Sequence, residues 1–267
     1  MKAFKQQRLS NQSFFLKDIV IIWINKICYN TLKKVIIMKK TLKLFIILAI
    51  MGGLFYHICN GDLIFWIKKD VTYDVILDPG HGDYDPGCVF EELEEKDFNL
   101  KMAQQVQKYL EEKGLSVKLT RSDAPIEWEH NENADLRARV AQSIAHDPIL
   151  FVSMHINSSL NPQANGFEIY ASEFRSLSQN VAQKVYDKVQ ALNYFQGRGI
   201  ITSLQRSLFV VDMNTKPAIL IETGFLSNEH DRNILLNDYD IKLICEQIAL
   251  GIYESVVQSE EYQKRYA

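Results

Sequence analysis

The stretch that decides the fold is Val75-Ile-Leu-Asp-Pro-Gly-His-Gly82. An apolar run followed by a loop with two glycines predicts a buried strand that ends in a tight turn. The pattern recurs downstream, where the apolar run 149–154 is followed by His155 and the run 218–221 by Glu222. Each of these strands therefore leads into a residue suited to metal binding or acid–base chemistry.

Strands and helices alternate through the rest of this region. Further strands are predicted at 117–120, 167–170 and 208–211, and helices at 97–113 (with Asp97 as the cap), 134–146, 174–192 and 241–256. The alternation predicts one α/β domain, a three-layer sandwich in which helices flank a mostly parallel or mixed sheet of about six strands. In such sheets ligands bind beyond the carboxyl ends of the strands, where the polar residues above are expected.

Charge divides the chain into two parts. Residues 1–70 carry twelve Lys/Arg and three Asp/Glu, whereas the remaining residues carry eighteen and thirty. The second part is therefore acidic, and it lacks the basic surface that a nucleic-acid partner requires. Its two cysteines, Cys88 and Cys245, do not form a C-x-x-C pair, which excludes a cysteine-based zinc site.

The basic first part has the pattern of a targeting segment. Met38-Lys-Lys40 precedes an apolar run at 44–55, as in the n- and h-regions of a signal peptide. Neither this run nor the patch 19–24 reaches the roughly 20 residues of a comfortable transmembrane helix. We expect residues 1–70 to be a cleaved signal or a retained membrane anchor, with Met38 as an alternative start. Residues 71–267 are then an exported catalytic domain, periplasmic or in the cell wall.

Single residues leave the chemistry open. A catalytic zinc site needs three nitrogen or oxygen ligands and one open position. His81 and His155 suit it, but a histidine at a strand end is more often simply hydrogen-bonded. Glu95 belongs to a run with three other glutamates, where a solvated charge is the ordinary explanation.

Several motifs in order resemble the zinc amidases of the Amidase 3 type. They cover about residues 74–255 and comprise Asp78-Pro-Gly-His-Gly82, Asp85-Pro-Gly87, Glu95-Lys-Asp97, Leu119-Thr-Arg121, Leu136-Arg-Ala-Arg139, Phe151-Val-Ser-Met-His-Ile-Asn157 and Pro217-Ala-Ile-Leu-Ile-Glu-Thr-Gly-Phe-Leu-Ser-Asn228. The resemblance implies that His81, Glu95 and His155 bind one Zn²⁺ ion, with Glu94 as the alternative to Glu95. It also implies that Glu222 is the catalytic carboxylate.

Three further residues are candidates for supporting or substrate-binding roles. Asp78 either orients His81 as a hydrogen-bond acceptor or caps its loop. Asn157 and Arg206 either contact substrate or are structural.

The resemblance implies hydrolysis of the amide bond between N-acetylmuramic acid and L-alanine in peptidoglycan. Two rivals remain: a binding module that recognises wall peptides without cleaving them, and a zinc peptidase or deacetylase acting on wall fragments. Some relatives insert an inhibitory helix that an activator protein must displace. Here the strand 167–170 runs almost directly into the helix predicted from residue 174, so we expect no obligatory activator.

Overall fold

The computed structural model describes residues 71–125 and 130–267. Strands in these ranges are β1 (Val75–Pro79), β2 (Val89–Phe90), β3 (Leu93–Glu94), β4 (Val117–Leu119), β5 (Leu150–Asn157), β6 (Phe167–Ala171), β7 (Gly197–Thr202) and β8 (Ala218–Phe225). The helices are α1 (Glu95–Glu112), α2 (Glu132–His146), α3 (Ser176–Gln190), α4 (Phe209–Asp212), α5 (Glu229–Leu236), α6 (Asp238–Val257) and α7 (Glu260–Tyr266).

The targeting segment predicted for residues 1–70 lies outside the described residues, so it stays a prediction. Within the two described ranges, none of the helices combines the length and the apolar character needed to span a bilayer.

Six strands of the described chain form one sheet in the order β4-β1-β5-β8-β6-β7. The pairs β1–β4, β1–β5, β5–β8 and β6–β7 are parallel, and β6 pairs with β8 in the antiparallel direction. The predicted mixed, mostly parallel sheet is therefore confirmed. A separate two-stranded hairpin, β2–β3, leads into α1.

Helices cover both faces of the sheet, as the predicted three-layer sandwich requires. Leu77 and Val152 face the larger core under α1, α3 and α6, whereas their neighbours Ile76 and Phe151 face a smaller core shared with α2 and α4. Successive strand residues point to opposite faces, so these fully buried strands carry continuous apolar runs.

The start of α1 differs from the prediction. The helix begins at Glu95 with Glu94 at its cap position, and Asp97 lies inside the first turn. The reason is that the preceding loop supplies the acceptors: the backbone N–H of Glu95 donates to Cys88 and that of Lys96 to Pro86. A side-chain cap is therefore unnecessary, and Glu95 occupies the first helical position.

The strand predicted at 208–211 is wrong. Residues Phe209–Asp212 form the short helix α4, which packs Val210 and Val211 into the smaller core. Four apolar residues in a row fit either a buried strand or a short helix, because periodicity cannot separate the two over that length. The sixth strand of the sheet is instead β7, an edge strand whose glycines at 197 and 199 resemble a loop.

Strands β5 and β8 extend further than predicted, and this positions the site. His155 lies inside β5 instead of following its predicted end, and Glu222, predicted as the last residue of its strand, lies inside β8 directly opposite His155. On the other side, Glu222 is opposite Glu168 of β6. Residues that face each other across a sheet project to the same side, so His155, Glu222 and Glu168 form one row.

Candidate metal centre

Three side chains converge at the carboxyl ends of β1 and β5. One nitrogen or oxygen atom from each of His81, Glu95 and His155 lies within 4.8 Å of the other two. Nε2 of His81 is 3.3 Å from Oε2 of Glu95, and Nδ1 of His155 is 2.9 Å from Oε1 of Glu95. The two imidazole rings are nearly perpendicular, with centroids 4.9 Å apart. Among the residues described, this is the cluster whose geometry allows a metal ion to be bound.

Glycines leave the space that the ligands occupy. A Cβ atom at Gly80 would lie 2.1 Å from Cε1 of His155. At Gly87, a Cβ atom would lie 2.7 Å from both Glu95 Oε2 and His81 Cδ2. His81 itself has a φ of 58°, a conformation that is costly for a residue with a side chain. The loop is thus shaped around the ligand side chains.

The orientation of His81 is set by Asp85. Its Nδ1–H donates to Oδ2 of Asp85 at 2.7 Å, while Oδ1 of Asp85 accepts from the Gly87 backbone at 3.0 Å. Because Nδ1–H is held by Asp85, Nε2 is the ring nitrogen left to face Glu95, and it is the nitrogen that a metal ion would displace the proton from. Asp85 belongs to the sequence motif Asp85-Pro-Gly87, but the sequence analysis did not identify it as the partner of His81. The one feature of the sequence that could have done so is its position four residues after His81.

Asp78 does not contact the His81 ring, so of the two roles that the sequence left open for it, the orienting one falls to Asp85. Its buried carboxylate accepts hydrogen bonds from Thr120 (2.6 Å), Ser153 (2.7 Å) and Arg139 (2.7 Å). Asp78 is the last but one residue of β1, and all three of these partners lie on other elements than the His81 loop. It supports the loop through Arg139, which also donates to the backbone carbonyl of His81 at 2.7 Å.

Two buried arginines hold the loop that carries His81. Arg139 binds the carbonyl of Pro79 at 2.8 Å, and Arg121 binds the same carbonyl at 2.9 Å and that of Gly80 at 3.0 Å. Both arginines belong to sequence motifs of the family, yet the sequence alone did not show that both bind the carbonyls of the His81 loop.

Glu95 is buried and fully hydrogen-bonded. Its Oε1 accepts from Asn99 (3.1 Å) and from the backbone of Ile156 (3.2 Å), and Oε2 accepts from the backbone of Cys88 (2.9 Å). The neighbouring Glu94 instead pairs with Lys96 at the surface. The structure thus brings Glu95, and not Glu94, to the two histidines.

The electrostatics of the cluster favour a cation. Burial alone would raise the pKa of Glu95, but hydrogen bonds from His155 and His81 outweigh it and hold the pKa well below its usual range. Burial would lower the pKa of His81, yet Glu95 and Asp85 together raise it to about 9. The negative charge of Glu95 and Asp85 favours a proton on His81, and a divalent cation can replace that proton because it is attracted by the same charges. The residues present therefore fit a metal ion.

Glu222 lies beside the cluster, and one of its two carboxylate oxygens is free to take part in a reaction. Its Oε2 atom is buried and has no hydrogen-bond partner among the described residues. Burial, followed by the charges of Glu95 and Glu168, raises the pKa of Glu222 well above its ordinary value. A buried carboxylate with high proton affinity and a free oxygen is suited to accept a proton from a reacting group.

A cleft of about 570 Å³ gives access to these residues. His81, His155 and Glu222 line it, and Arg206 and Tyr170 form part of its wall. Asn157 does not line this cleft, since its amide donates to Glu168 at 2.9 Å. The sequence associated two residues with substrate. The structure places Arg206 in the cleft, whereas the side chain of Asn157 is hydrogen-bonded to Glu168.

The fold and the site together define a class of protein. Two imidazoles and one carboxylate at the strand ends of an α/β sheet are the ligand set of mononuclear metal-dependent hydrolases. A further carboxylate, that of Glu222, lies beside these ligands and is suited to acid–base catalysis. Within this class, the chain belongs to the N-acetylmuramoyl-L-alanine amidase family, whose model matches residues 75–254.

Relatives and solved structures agree with this membership. The chain is 30% identical over 172 residues to the amidase LytC of Bacillus subtilis, which covers 63% of this chain and 33% of LytC. It is 30% identical over 196 residues to the germination-specific amidase of the same organism, covering 69% of this chain and 78% of that one. It therefore spans about a third of the length of LytC.

Among solved structures, the amidase AmiC2 of Nostoc punctiforme is 30% identical with a TM-score of 0.59, covering 69% of this chain and 96% of that one. The CwlD amidase of Clostridioides difficile, solved in complex with the GerS lipoprotein, is 24% identical with a TM-score of 0.59 and covers 73% of this chain and 100% of that one. This second likeness shows a shared fold.

Proposed function

We propose that this chain is a zinc-dependent N-acetylmuramoyl-L-alanine amidase that cleaves peptidoglycan. His81, Glu95 and His155 hold one Zn²⁺ ion, and Glu222 is the general base and acid. The observation that carries the proposal is the free, buried Oε2 of Glu222 beside three converging ligands, in a cleft open to substrate. Zinc in such a site activates water and polarises the substrate carbonyl.

The residues of the chain supply the proton transfers. The Glu222 carboxylate accepts a proton from the attacking water and keeps it until the amide bond breaks. The same carboxyl then donates the proton to the departing L-alanine nitrogen. Asp85 keeps the His81 ring in the tautomer that binds metal, and Asn99 holds Glu95 in place.

The test is digestion of purified peptidoglycan by the purified protein, with added zinc or with a chelator, beside the variant Glu222→Gln. We expect stem peptides with a new L-alanine amino terminus, lost on chelation and reduced about 10²–10⁴-fold in the variant. The variant should still bind zinc with wild-type stoichiometry, which separates lost chemistry from a lost site.

Other products would favour other functions. New peptide ends or free amines would indicate a zinc peptidase or deacetylase. A folded, zinc-loaded protein that binds wall fragments without releasing anything would be a binding module.

We propose further that the domain needs no obligatory activator. Strand β6 ends at Ala171 and α3 begins at Ser176, so the connection between them is too short for an inserted inhibitory helix. Cleavage by the purified protein and zinc alone is the expected result. Cleavage that begins only after a second protein is added would contradict it, and CwlD with its GerS partner is the case to compare.

The proposed substrate lies outside the cytoplasm, and residues 1–70 are proposed to take the domain there, as a signal or as an anchor. Fractionation of cells that express the full chain tests this. Protein in the culture medium or periplasm supports a cleaved signal, protein in the membrane supports an anchor, and protein in the cytosol contradicts export.

A further inference from the structure

The cleft is lined by one exposed arginine and by several acidic residues. Asp85, Glu132, Asp135 and Glu222 all line it. Arg139 lines it too, but its guanidinium is buried against Asp78 and Asp135. Arg206 is the exposed guanidinium of this cleft, as far as the structure describes its lining.

Most of the binding capacity of Arg206 is unused. An arginine side chain has five N–H donors. Within the described chain, the side chain of Arg206 makes one hydrogen bond, from a terminal nitrogen to the hydroxyl of Tyr170 at 3.0 Å, and its guanidinium lies 5.4 Å from the centre of the Tyr170 ring. The remaining donors can form the paired hydrogen bonds that guanidinium groups make with carboxylates.

Tyr170 fixes the position of the guanidinium. Its hydroxyl accepts from Arg206 and donates to Oε1 of Glu168 at 2.9 Å. Burial and the hydrogen bond to Glu168 raise the pKa of Tyr170 to about 12, so the phenol stays neutral and leaves the charge of Arg206 available. The charge of Glu168 is matched by Arg198, whose Nε lies 2.6 Å from the carboxylate.

The loop that carries Arg206 is also held. The carboxylate of Asp212 accepts hydrogen bonds from the hydroxyls of Ser203 and Ser207 and from the backbone of Leu208. The backbone N–H of Arg206 donates to Thr202 at 3.1 Å. An arginine presented on a restrained loop loses less entropy when it binds a ligand.

Arg206 and Glu222 line the same cleft, and the tyrosine that holds Arg206 is close to Glu222 in the sheet. Tyr170 is opposite Leu220, which precedes Glu222 by two residues on β8. In the proposed substrate, the nitrogen released by cleavage belongs to L-alanine, and the next residue is a glutamate joined through its side chain. The α-carboxylate of that glutamate lies at most about 7 Å from the nitrogen in an extended chain.

We propose that Arg206 binds the α-carboxylate of the second stem-peptide residue, so that the enzyme selects peptides in which this carboxylate is free over those in which it is amidated. This inference rests on the proposed amidase function and names the part of the substrate that the cleft recognises. Amidation removes the charge and one acceptor, so it weakens the contact without changing the size of the group.

The test compares two synthetic muramoyl tripeptides that differ only in a free or an amidated α-carboxyl group on the second residue. For the zinc-loaded wild-type protein we expect kcat/KM to be at least about tenfold higher on the free acid. In Arg206→Gln, kcat/KM on the free acid should fall about 10–100-fold and that on the amide less than about threefold, so the preference disappears.

Two further variants separate binding from a general structural effect. Tyr170→Phe keeps the ring and removes the hydroxyl that fixes Arg206, so it should raise KM for the free acid more than KM for the amidated peptide and narrow the preference between them. Arg137→Gln removes an exposed arginine of α2 that does not line the cleft, and it should change neither substrate.

Equal kcat/KM on the two peptides in the wild type would overturn the proposal, as would an equal loss on both in Arg206→Gln. If the wild type cleaves neither peptide, the amidase function fails. Calorimetric binding of the same two peptides then decides the role of Arg206: tighter binding of the free acid that is lost in Arg206→Gln supports it, and equal affinity overturns it.

Discussion

Gly80 shows how one absent side chain shapes the proposed metal site. A methyl group there would overlap the His155 ring, with a Cβ to Cε1 separation of 2.1 Å, and a ring cannot bend out of the way. The φ angle of Gly80 lies outside the left-handed region, so the effect of Gly80→Ala is steric. We expect the variant to lose at least about tenfold in zinc affinity, measured by competition with a chromogenic chelator.

Gly114→Ala is the matched control for that variant. Gly114 has a φ of 91° at the end of α1, and nothing lies within 4 Å of its Cβ position. The substitution should lower the free energy of unfolding by about 1–2 kcal/mol through backbone strain and leave zinc affinity unchanged. Equal zinc affinities in the wild type and Gly80→Ala would show that His155 is not held as the structure indicates.

Asn99 joins two of the proposed ligands to each other. Its buried side-chain amide donates to Oε1 of Glu95 at 3.1 Å and to the carbonyl of Gly80, next to His81, at 3.2 Å. Removing such a contact to a ligand typically costs 10–100-fold in metal affinity, so we expect a loss of about that size in Asn99→Leu. Gln104→Leu, an exposed change on the same helix, should leave metal affinity unaltered. A metal affinity in Asn99→Leu equal to that of the wild type would contradict a positioning role.

At the scale of single residues, the sequence identified which residues form the site but not which residues hydrogen-bond to them. His81, Glu95 and His155 were placed by their motifs, and the structure brings all three together. Asp85, the acceptor that orients His81, was not recognised, because hydrogen-bond partners depend on the path of a loop that bends at several positive φ angles.

Helix α4 and the loop before it form the element that presents Arg206. Asp212 accepts three hydrogen bonds from residues 203, 207 and 208. Asp212→Ala removes this acceptor, so the loop should open more often, and hydrogen exchange of the Leu208 amide should accelerate about tenfold or more. Exchange in the core strand β5 should not change. The control Asp187→Ala removes an exposed carboxylate of α3 and should leave the Leu208 amide protected. Unaltered exchange at Leu208 in Asp212→Ala would contradict the role of Asp212.

Helix α4 also shows which kind of element could not be predicted from the sequence. Long amphipathic helices and buried strands were located to within a few residues, because their patterns extend over several turns or pleats. The segment 208–211 was assigned to a strand, because four apolar residues in a row do not distinguish a buried strand from a short helix. Strand β7 was missed because its pairing with β6, and not its own composition, makes it a strand.

On the scale of the whole molecule, two arginines connect the His81 loop to both helical layers. Arg121 binds the loop carbonyls and the carbonyl of Lys96 in α1, at 2.7 Å. Arg139 extends from α2 on the opposite face and binds Asp78 of β1. The loop between the layers is thus held from both sides, and the site depends on the correct packing of the entire sandwich.

Arg139 should therefore be important for stability, and in a pH-dependent way. Burial would raise the pKa of Asp78, but the charge of Arg139 and hydrogen bonds from Thr120 and Ser153 hold it below its usual value. In the wild type, this carboxylate contributes stability above its unfolded pKa, and the contribution is lost as pH falls through the folded pKa. Arg139→Met leaves a buried charge without its main partner, and it should lower the free energy of unfolding at pH 7 by about 3–5 kcal/mol.

The sign of the pH dependence then reverses in the variant. Without Arg139, burial dominates and the folded pKa of Asp78 rises above the unfolded one, so the loss of stability is full at neutral pH and shrinks as pH falls and the carboxyl takes up a proton. Denaturant unfolding between pH 7 and pH 4, with chelator present to remove metal linkage, measures this. Adding Asp78→Asn to Arg139→Met should recover part of the loss at pH 7, because it removes the unpaired charge. A stability deficit that is constant with pH would mean that Arg139 acts by packing and not by balancing Asp78.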